Sequence, residues 1–300
     1  MNKKPSPLCR IVFKAADAGM LNFVNDETII KLKYRLKTGK KLDLDNPQTY
    51  NEKLQWLKLH DRKPIYTTMV DKYEVKKYVA DIIGKEHIIP TIGIYDKFDD
   101  INFDKLPNKF VIKCTHDSGG LVICNNKQLL NIEQIKKKID KSLKRNYYYS
   151  GREWPYKNVK PRILIEQYME DPKEKDLKDY KFFCFDGKIG IVLVCTNRPV
   201  ELEETWLDEN FNVIDLREGG HRNRTDLRKP AKFDQMKRVA TKLSKNVPHV
   251  RVDLYEIKGQ VYFGELTFFP AGGLEQFDDE SWNDKLGKLI NNIPIEREKK

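Results

Sequence analysis

The chain has 300 residues, 34% of them charged and 39% hydrophobic, with a formal net charge of +11. That length predicts roughly two domains and a sizeable core, and no apolar run approaches the roughly 20 residues needed to span a bilayer. The positive balance favours anionic partners (a nucleotide, an acidic polysaccharide, an anionic membrane face), whereas the lack of RRM, zinc-finger and helix-turn-helix signatures argues against nucleic acid.

The N-terminus MNKKPSPLCRIVFKAADAG is basic but has no apolar stretch of signal-peptide type. The first expected helix is at 26–36, with Ile29, Ile30, Leu32 and Leu36 apolar and Asn25 or Asp26 as cap. Thr49 and Glu52 make a capping-box pattern before the stripe Leu54, Trp56, Leu57 and Leu59, which reads as a docking helix. A short amphipathic helix at 71–84 carries Tyr73, Val75, Tyr78, Val79 and Ile82, and Gly84 ends it; EHIIPTIGIYD then reads as a buried strand. Helix followed by strand suggests α/β or α+β layering.

In FVIKCTHDSGGLVICNN (110–126), strands at 110–114 and 121–124 flank a loop with two glycines. Such a loop lets backbone N–H groups approach phosphate oxygens, and Lys113 could reach the same phosphates as a point charge. Neither GxxxxGK[ST] nor GxGxxG occurs. Residues 131–146 form a basic helix, and YYYSGREWPYKNVKPR reads as a Pro/Tyr-rich connector with the character of a mobile flap. An apolar strand at 162–171 runs into a polar hinge, and 177–198 is a hairpin around Asp186-Gly187. Residues 199–230 read as irregular, with Trp206 and the basic cluster His221, Arg222, Arg224 and Arg228; a loop of that length tends to be functional or disordered. An amphipathic helix at 233–247 follows, and the chain ends in the charge run IEREKK. Cys9, Cys114, Cys124, Cys184 and Cys195 form no CxxC pair and no metal spacing, which fits a reducing cytoplasm.

The stretch RVDLYEIKGQVYFGELTFFPAGG (251–273) predicts a β-hairpin turning at Lys258-Gly259. Alternation puts Arg251, Asp253 and Tyr255 on one face, and Glu265 and Thr267 share a face of the return strand. Asp253 then lies opposite or nearly opposite Glu265. Two carboxylates on neighbouring strands repel, and a divalent cation between them relieves the repulsion. Mg²⁺ suits a few carboxylates plus substrate phosphates, which Arg251 would also face.

Taken together, these motifs resemble the ATP-grasp enzymes, and among them the TupA-like branch associated with teichuronopeptide, capsule and O-antigen synthesis. The carrying residues are NEKLQWLKL (51–59), VDKYEVKKYV (70–79), FVIKCTHDSGG (110–120), LIEQYM (164–169), DYKFFCFDGK (179–188) and RVDLY with YFGELTFFPAGG (251–273). The resemblance implies an α+β, ATP-grasp fold in which two α+β subdomains clasp a nucleotide. A helical segment would occupy 1–70, the lysine- and flap-bearing subdomain 71–165, and the subdomain with adenine hinge and metal site 166–300.

Position by position, the resemblance implies Lys72 and Lys113 as phosphate-binding lysines, and His116, Asp117, Ser118, Gly119 and Gly120 as a flap over the phosphates. It implies Glu166 with the backbone from Gln167 to Met169 as the adenine hinge, Asp179 as a ribose-binding acid, and Lys181 as a further phosphate contact. Asp253, Glu265 and Thr267 would hold Mg²⁺, and Arg251 would steady the acyl phosphate, with Lys113 and Lys181 sharing the catalytic work. Many members carry Asn where this chain has Thr267, whose hydroxyl is a weaker ligand. The implied activity is a cytoplasmic carboxylate–amine ligase using ATP and Mg²⁺ to join an amino acid to a uronic-acid-containing sugar or polysaccharide, with transient contact at the inner membrane face compatible with the charge. The basic loop at 217–228 is a candidate binder of the sugar acid. Two other classes remain open: a small-molecule kinase on the same fold, and a glycosyltransferase, which would use a nucleotide-sugar and typically a metal-binding DxD.

Overall fold

The computed structural model describes residues 6–171, 177–196, 201–218, 224, 226–291 and 293. Its N-terminal part is helical. Helix α1 (Pro7–Asp17) is an element the sequence reading lacks; Ser6 caps it, accepting from Cys9 N at 3.2 Å, and it buries only Cys9 and Ala16. Helix α2 (Asp26–Thr38) runs two residues past expectation and stops where Gly39 adopts a left-handed φ of 76°. Helix α3 (Tyr50–His60) starts on the expected capping box, with Glu52 N donating to Thr49 Oγ1 at 3.3 Å and Thr49 N to Glu52 Oε2 at 3.0 Å. Helices α4 (Ile65–Val70) and α5 (Glu74–Ile83) lead into the first sheet.

That sheet contains β1 (Thr91–Tyr95), β2 (Phe110–Cys114), β3 (Leu121–Cys124) and β4 (Ile163–Gln167), antiparallel in the order β1-β4-β2-β3. The expectation of a buried β1 is corrected: it is an edge strand, and Ile92 is 37% exposed. The expected boundary between residues 165 and 166 falls inside β4, where Glu166 still pairs with Thr91 and Val111. In β2 the alternation is clean. Phe110, Ile112 and Cys114 are buried against Ile135 and Ile139 of α6 (Ile132–Leu143), which leaves Lys113 on the opposite face.

The second sheet contains β5 (Asp179–Phe185), β6 (Lys188–Thr196), β7 (Glu203–Leu207), β8 (Val250–Ile257) and β9 (Gln260–Thr267), in the order β7-β6-β5-β8-β9 with every neighbour antiparallel. The β5–β6 turn is the expected one, with positive φ at both Asp186 (47°) and Gly187 (80°). Strand β5 is buried along its whole length and shares the main core with helix α8 (Phe233–Ser244); the Phe182 and Phe233 rings lie 5.7 Å apart.

Two expectations fail here for the same reason, which is tertiary packing that short-range sequence does not report. The stretch 199–230 contains β7, whose Trp206 is buried 5.3 Å from the Phe183 ring. The connector expected as a mobile flap is instead packed: a short helix α7 (Tyr148–Gly151) and a 3₁₀ turn (Trp154–Tyr156) bury Tyr148, Arg152 and Glu153. Helix α9 (Ser281–Gly287) docks on α3, where Asn51 N donates to Asn283 Oδ1 at 3.0 Å. His221, Arg222 and the final charge run lie outside the described residues. All five cysteines are buried and none is in a disulfide, and among the described residues no helix is long and apolar enough to cross a membrane.

Candidate functional site

The open face of β2 and β4 meets the strands β5, β8 and β9 across a cavity of about 300 Å³. Four lysines line it: Lys72, Lys76, Lys113 and Lys181. Five carboxylates join them: Asp117, Glu166, Asp179, Asp253 and Glu265. Ile88, Ile89, Tyr255 and Phe263 supply apolar wall, enough for a ring to lie against.

The first sheet contributes a lysine pair on one acid. Lys113 on β2 and Glu166 on β4 are separated by 2.6 Å, and Lys76 of α5 holds the other oxygen of the same carboxylate. Burial alone would push the Glu166 carboxyl up, but Lys113 and Lys76 together hold it below the usual carboxylate range. Lys76 is a site residue the sequence reading missed. Lys72 lies four positions before it but outside α5, so helix periodicity gave no signal that Lys76 turns inward. Burial lowers the pKa of both Lys72 and Lys76, so each ammonium is under-compensated in this pocket. A polyanion placed there would restore the balance.

The loop after β2 closes over Lys72. Lys72 Nζ donates to the Asp117 carbonyl, and its backbone N–H to Thr115 O at 3.0 Å. Asp117 Oδ1 accepts from Gly120 N at 3.0 Å while Oδ2 accepts from the Ser142 hydroxyl. Gly120 is required by space: a Cβ there would meet Cys114 Sγ at 2.5 Å. Ser118 and Gly119 form the exposed tip. His116 turns away from the cavity. Its Nε2 lies 3.0 Å from the carbonyls of both Ser142 and Arg145, so it carries the proton and ties the loop to the end of α6.

The second sheet supplies an ion cluster. The expected facing of Asp253 and Glu265 holds, through a device the sequence reading did not foresee. From the turn, the register Ile257↔Gln260 would put Gly264 opposite Asp253; a bulge at Gly264 shifts the pairing so that Glu265 takes that place. The bulge needs glycine, since a Cβ would sit 3.0 Å from Asp253 O. Arg251 binds Asp253 through two hydrogen bonds of 2.7 Å and also reaches Glu265 and Thr267, at 3.1 Å each. Lys181 lies 2.5 Å from Asp253 and 2.7 Å from Asp179. Burial opposes the charge on Lys181, yet Asp253 and Asp179 raise its pKa above the ordinary lysine value.

Among the described residues, no group of three or more His, Cys, Asp or Glu side chains could hold a metal ion by itself. Two facing carboxylates beside a lysine-lined cavity are donors of the kind Mg²⁺ takes along with phosphate and water, although Arg251 and Lys181 engage both Asp253 oxygens here. Arg251 and Thr267 stand behind the two acids and do not line the cavity. Gln167 and Met169 line a separate recess together with Tyr168 and Glu170, so the expected hinge places only Glu166 in the lysine cavity. The DxD triplet Asp43-Leu44-Asp45 serves a turn: Asp43 Oδ1 accepts from Asp45 N at 3.0 Å and Asn46 N at 2.9 Å.

No curated protein matches the chain. Among solved structures, D-alanine–D-alanine ligase from Bacillus anthracis complexed with ATP is 18% identical over 67% of this chain and 54% of its own, with a TM-score of 0.39. D-Alanine–D-alanine ligase from Helicobacter pylori is 16% identical over 82% of this chain and 70% of its own, with a TM-score of 0.41. The ATP-grasp ligase PsnB complexed with minimal precursor, Mg and ADP is 10% identical over 93% of this chain and 73% of its own, with a TM-score of 0.41. This chain therefore spans just over half the length of the first of these ligases. The family described as TupA-like ATP-grasp matches residues 52–291, and the chain belongs to it.

Proposed function

We propose that the protein is an ATP-dependent carboxylate–amine ligase that joins an amino acid to a sugar carboxylate, such as a uronic acid, during surface-polysaccharide assembly in the cytoplasm. The single observation that supports it most is the convergence of Lys72, Lys76, Lys113 and Lys181 on one cavity beside the facing carboxylates Asp253 and Glu265. The capsule or O-antigen context and the uronic acid rest on the family alone.

In this reading the γ-phosphoryl group of ATP passes to the acceptor carboxylate, giving an acyl phosphate and ADP. The amine then attacks the carbonyl carbon, and phosphate leaves as the amide forms. The four lysines neutralise and orient the triphosphate, and the apolar wall at Ile88, Ile89 and Phe263 excludes water around the base. Mg²⁺ bound at Asp253 and Glu265, with Thr267 at the periphery, would neutralise phosphate charge. This reading assigns the oxyanion of the tetrahedral intermediate to Arg251, which stands behind the two acids and would act once its hold on Glu265 and Thr267 is given up. No enzyme nucleophile is needed.

The test is to incubate the protein with ATP, Mg²⁺, a set of amino acids and a panel of uronic-acid acceptors, and to read the products by mass spectrometry. An amide formed with one ADP and one phosphate per bond is expected. A stable phosphorylated sugar formed with no amine requirement would replace the ligase by a kinase.

A further inference from the structure

A second cavity, of about 210 Å³, lies between the N-terminal helices, the α7 segment and the turn after β9. With about 30 Å³ for each water in the liquid, it is roomy enough for a small organic molecule. Lys33 of α2, Gln55 and Lys58 of α3, Tyr147, Glu153 and Gly272 line it. We infer that this cavity binds a small zwitterion of the α-amino-acid class, with the ligand's ammonium on Glu153 and its carboxylate on Lys33 and Lys58. The inference rests on the ligase reading and names the site of its amine substrate.

Three observations carry it. First, Glu153 is 5% exposed and lines the cavity, yet among the described residues it has no hydrogen bond and no ion-pair partner within 4.0 Å. A buried carboxylate left in that state is costly and marks a place for a cation. Burial raises its pKa, against Lys58 and Lys33, which act on it from beyond ion-pair distance. The other carboxylate at this cavity, Asp17, is engaged by the Ser150 hydroxyl and by Arg145.

Second, both lysines are buried, at 7% and 2% exposure for Lys33 and Lys58, and each is held in place while keeping N–H groups to spare. Lys33 donates to Ser150 O at 2.5 Å. Lys58 donates to Gly151 O at 2.9 Å and Gly272 O at 2.6 Å. An ammonium has three donors, so two remain on Lys33 and one on Lys58. Burial lowers the Lys58 pKa to about 8, with Glu153 opposing that shift, so an added carboxylate would stabilise the charged form.

Third, the cavity is built rigidly and joined to the ion cluster. Arg152, at a left-handed φ of 55°, ends α7 and is anchored on Leu21 O (2.7 Å) and Val24 O (3.0 Å); this conformation delivers Glu153 inward. Strand β9 ends at Thr267, which accepts from Arg251, and the following turn carries Gly272 to within 3.9 Å of Glu153 Oε1, measured from the Cβ that Gly272 lacks. Tyr147 lines the same cavity and interacts with Ser118, which lines the lysine cavity. An amine seated on Glu153 is thus next to the elements that present Arg251 and the phosphate loop.

The experiment is isothermal titration of the whole chain, with and without a nonhydrolysable ATP analogue and Mg²⁺, against glycine and both enantiomers of the other nineteen common amino acids. At least one amino acid is expected to bind. Its deaminated acid and its decarboxylated amine should each bind at least tenfold more weakly, and Glu153→Gln should weaken the amino acid at least tenfold while leaving the affinity for the ATP analogue within twofold. Should Glu153→Gln not fold, the analogue series on the parent chain and the variant Lys33→Met, expected to weaken the amino acid at least tenfold, decide the matter. Binding of no amino acid in the presence of the bound analogue overturns the site, as does equal binding by Glu153→Gln or by the deaminated acid. Failure of the ATP analogue itself to bind would instead sink the ligase reading, and amino-acid binding in that case would leave this site standing.

Discussion

Arg251 and Asp253, two residues apart on β8, form a bidentate ion pair with both nitrogen–oxygen distances at 2.7 Å. The pair is deeply buried, the Asp253 side chain at 2% and Arg251 at 14% exposure. Burial would raise the Asp253 carboxyl, but Arg251 and Lys181 hold it below the ordinary range, and Asp253 in turn holds Arg251 above its own. The sequence suggested an arginine facing phosphates beside a repelling pair of acids. The structure replaces that picture with a neutralised cluster in which Arg251 already grips Asp253, Glu265 and Thr267.

Arg251→Ala is therefore expected to affect folding and chemistry together. Breaking a buried pair leaves an uncompensated charge and costs about 3–5 kcal/mol; here Lys181 still faces Asp253, which puts the loss toward the lower end. Turnover should fall by on the order of 10²-fold or more, as for the loss of an oxyanion partner. Thermal melts and steady-state assays read the two effects. A variant with parental melting and near-normal turnover would show that Arg251 does neither job.

Lys113→Ala should weaken the ATP analogue by on the order of tenfold or more, since charge-assisted contacts to phosphate are strong. The fold should survive, because Glu166 keeps Lys76 as a partner. Isothermal titration on the folded variant checks this, and unchanged affinity removes Lys113 from the nucleotide site.

What the sequence made legible was what local rules control. The hairpin of β8 and β9, the capping box at Thr49 and the Asp186-Gly187 turn follow from alternation, caps and turn chemistry, and they brought Asp253 and Glu265 onto facing strands. What stayed hidden depends on contacts far apart in the chain. Lys76 and Glu166 are 90 positions apart, and Lys58 and Glu153 are 95 apart, by subtraction of their numbers. Nothing within either segment says that a lysine on an amphipathic helix will point inward, because helix periodicity ordinarily assigns lysine to solvent. The Gly264 bulge was hidden for a different reason: a one-residue register shift leaves the alternation pattern almost unchanged.

His249 makes the pH dependence testable. It is buried, with Nδ1 donating to Cys184 O at 3.0 Å, which leaves Nε2 to accept from the Tyr50 hydroxyl at 2.9 Å. Burial, aided by Arg251 and against the Cys184 carbonyl, lowers its pKa from 6.5 to about 3. The unfolded chain therefore binds a proton that the folded chain refuses. The stability this neutral histidine contributes is complete above its unfolded value and is lost as the pH falls from 6.5 towards about 3. Between about pH 7 and pH 5 the loss amounts to about 2 kcal/mol. Urea unfolding at the two pH values measures it, and His249→Gln should flatten the difference by about that amount. An equal pH slope in parent and variant would show that His249 is not the group responsible.

The last prediction concerns Glu265. Its side chain is 46% exposed, and the one contact it makes to Arg251 is the longer of that arginine's carboxylate contacts, at 3.1 Å against 2.7 Å. Arg251 keeps Asp253 when Glu265 is neutralised, so Glu265→Gln should leave the melting temperature of the nucleotide-free protein close to the parent's; exposed ion pairs contribute about 0–1 kcal/mol. The response to nucleotide should change far more. A ligand that binds only the folded state raises stability by RT ln(1 + [L]/Kd), so a tenfold weaker Mg²⁺-ATP at saturating concentration gives up about 1.4 kcal/mol of that gain. If Glu265 instead matters only as a partner of Arg251, the pattern reverses: the nucleotide-free variant melts lower and its shift with Mg²⁺-ATP stays whole. Melts of parent and variant, each with and without Mg²⁺-ATP, separate these outcomes. The reversed pattern would remove the metal from Asp253 and Glu265 and, with it, the main support for phosphoryl transfer at this cavity.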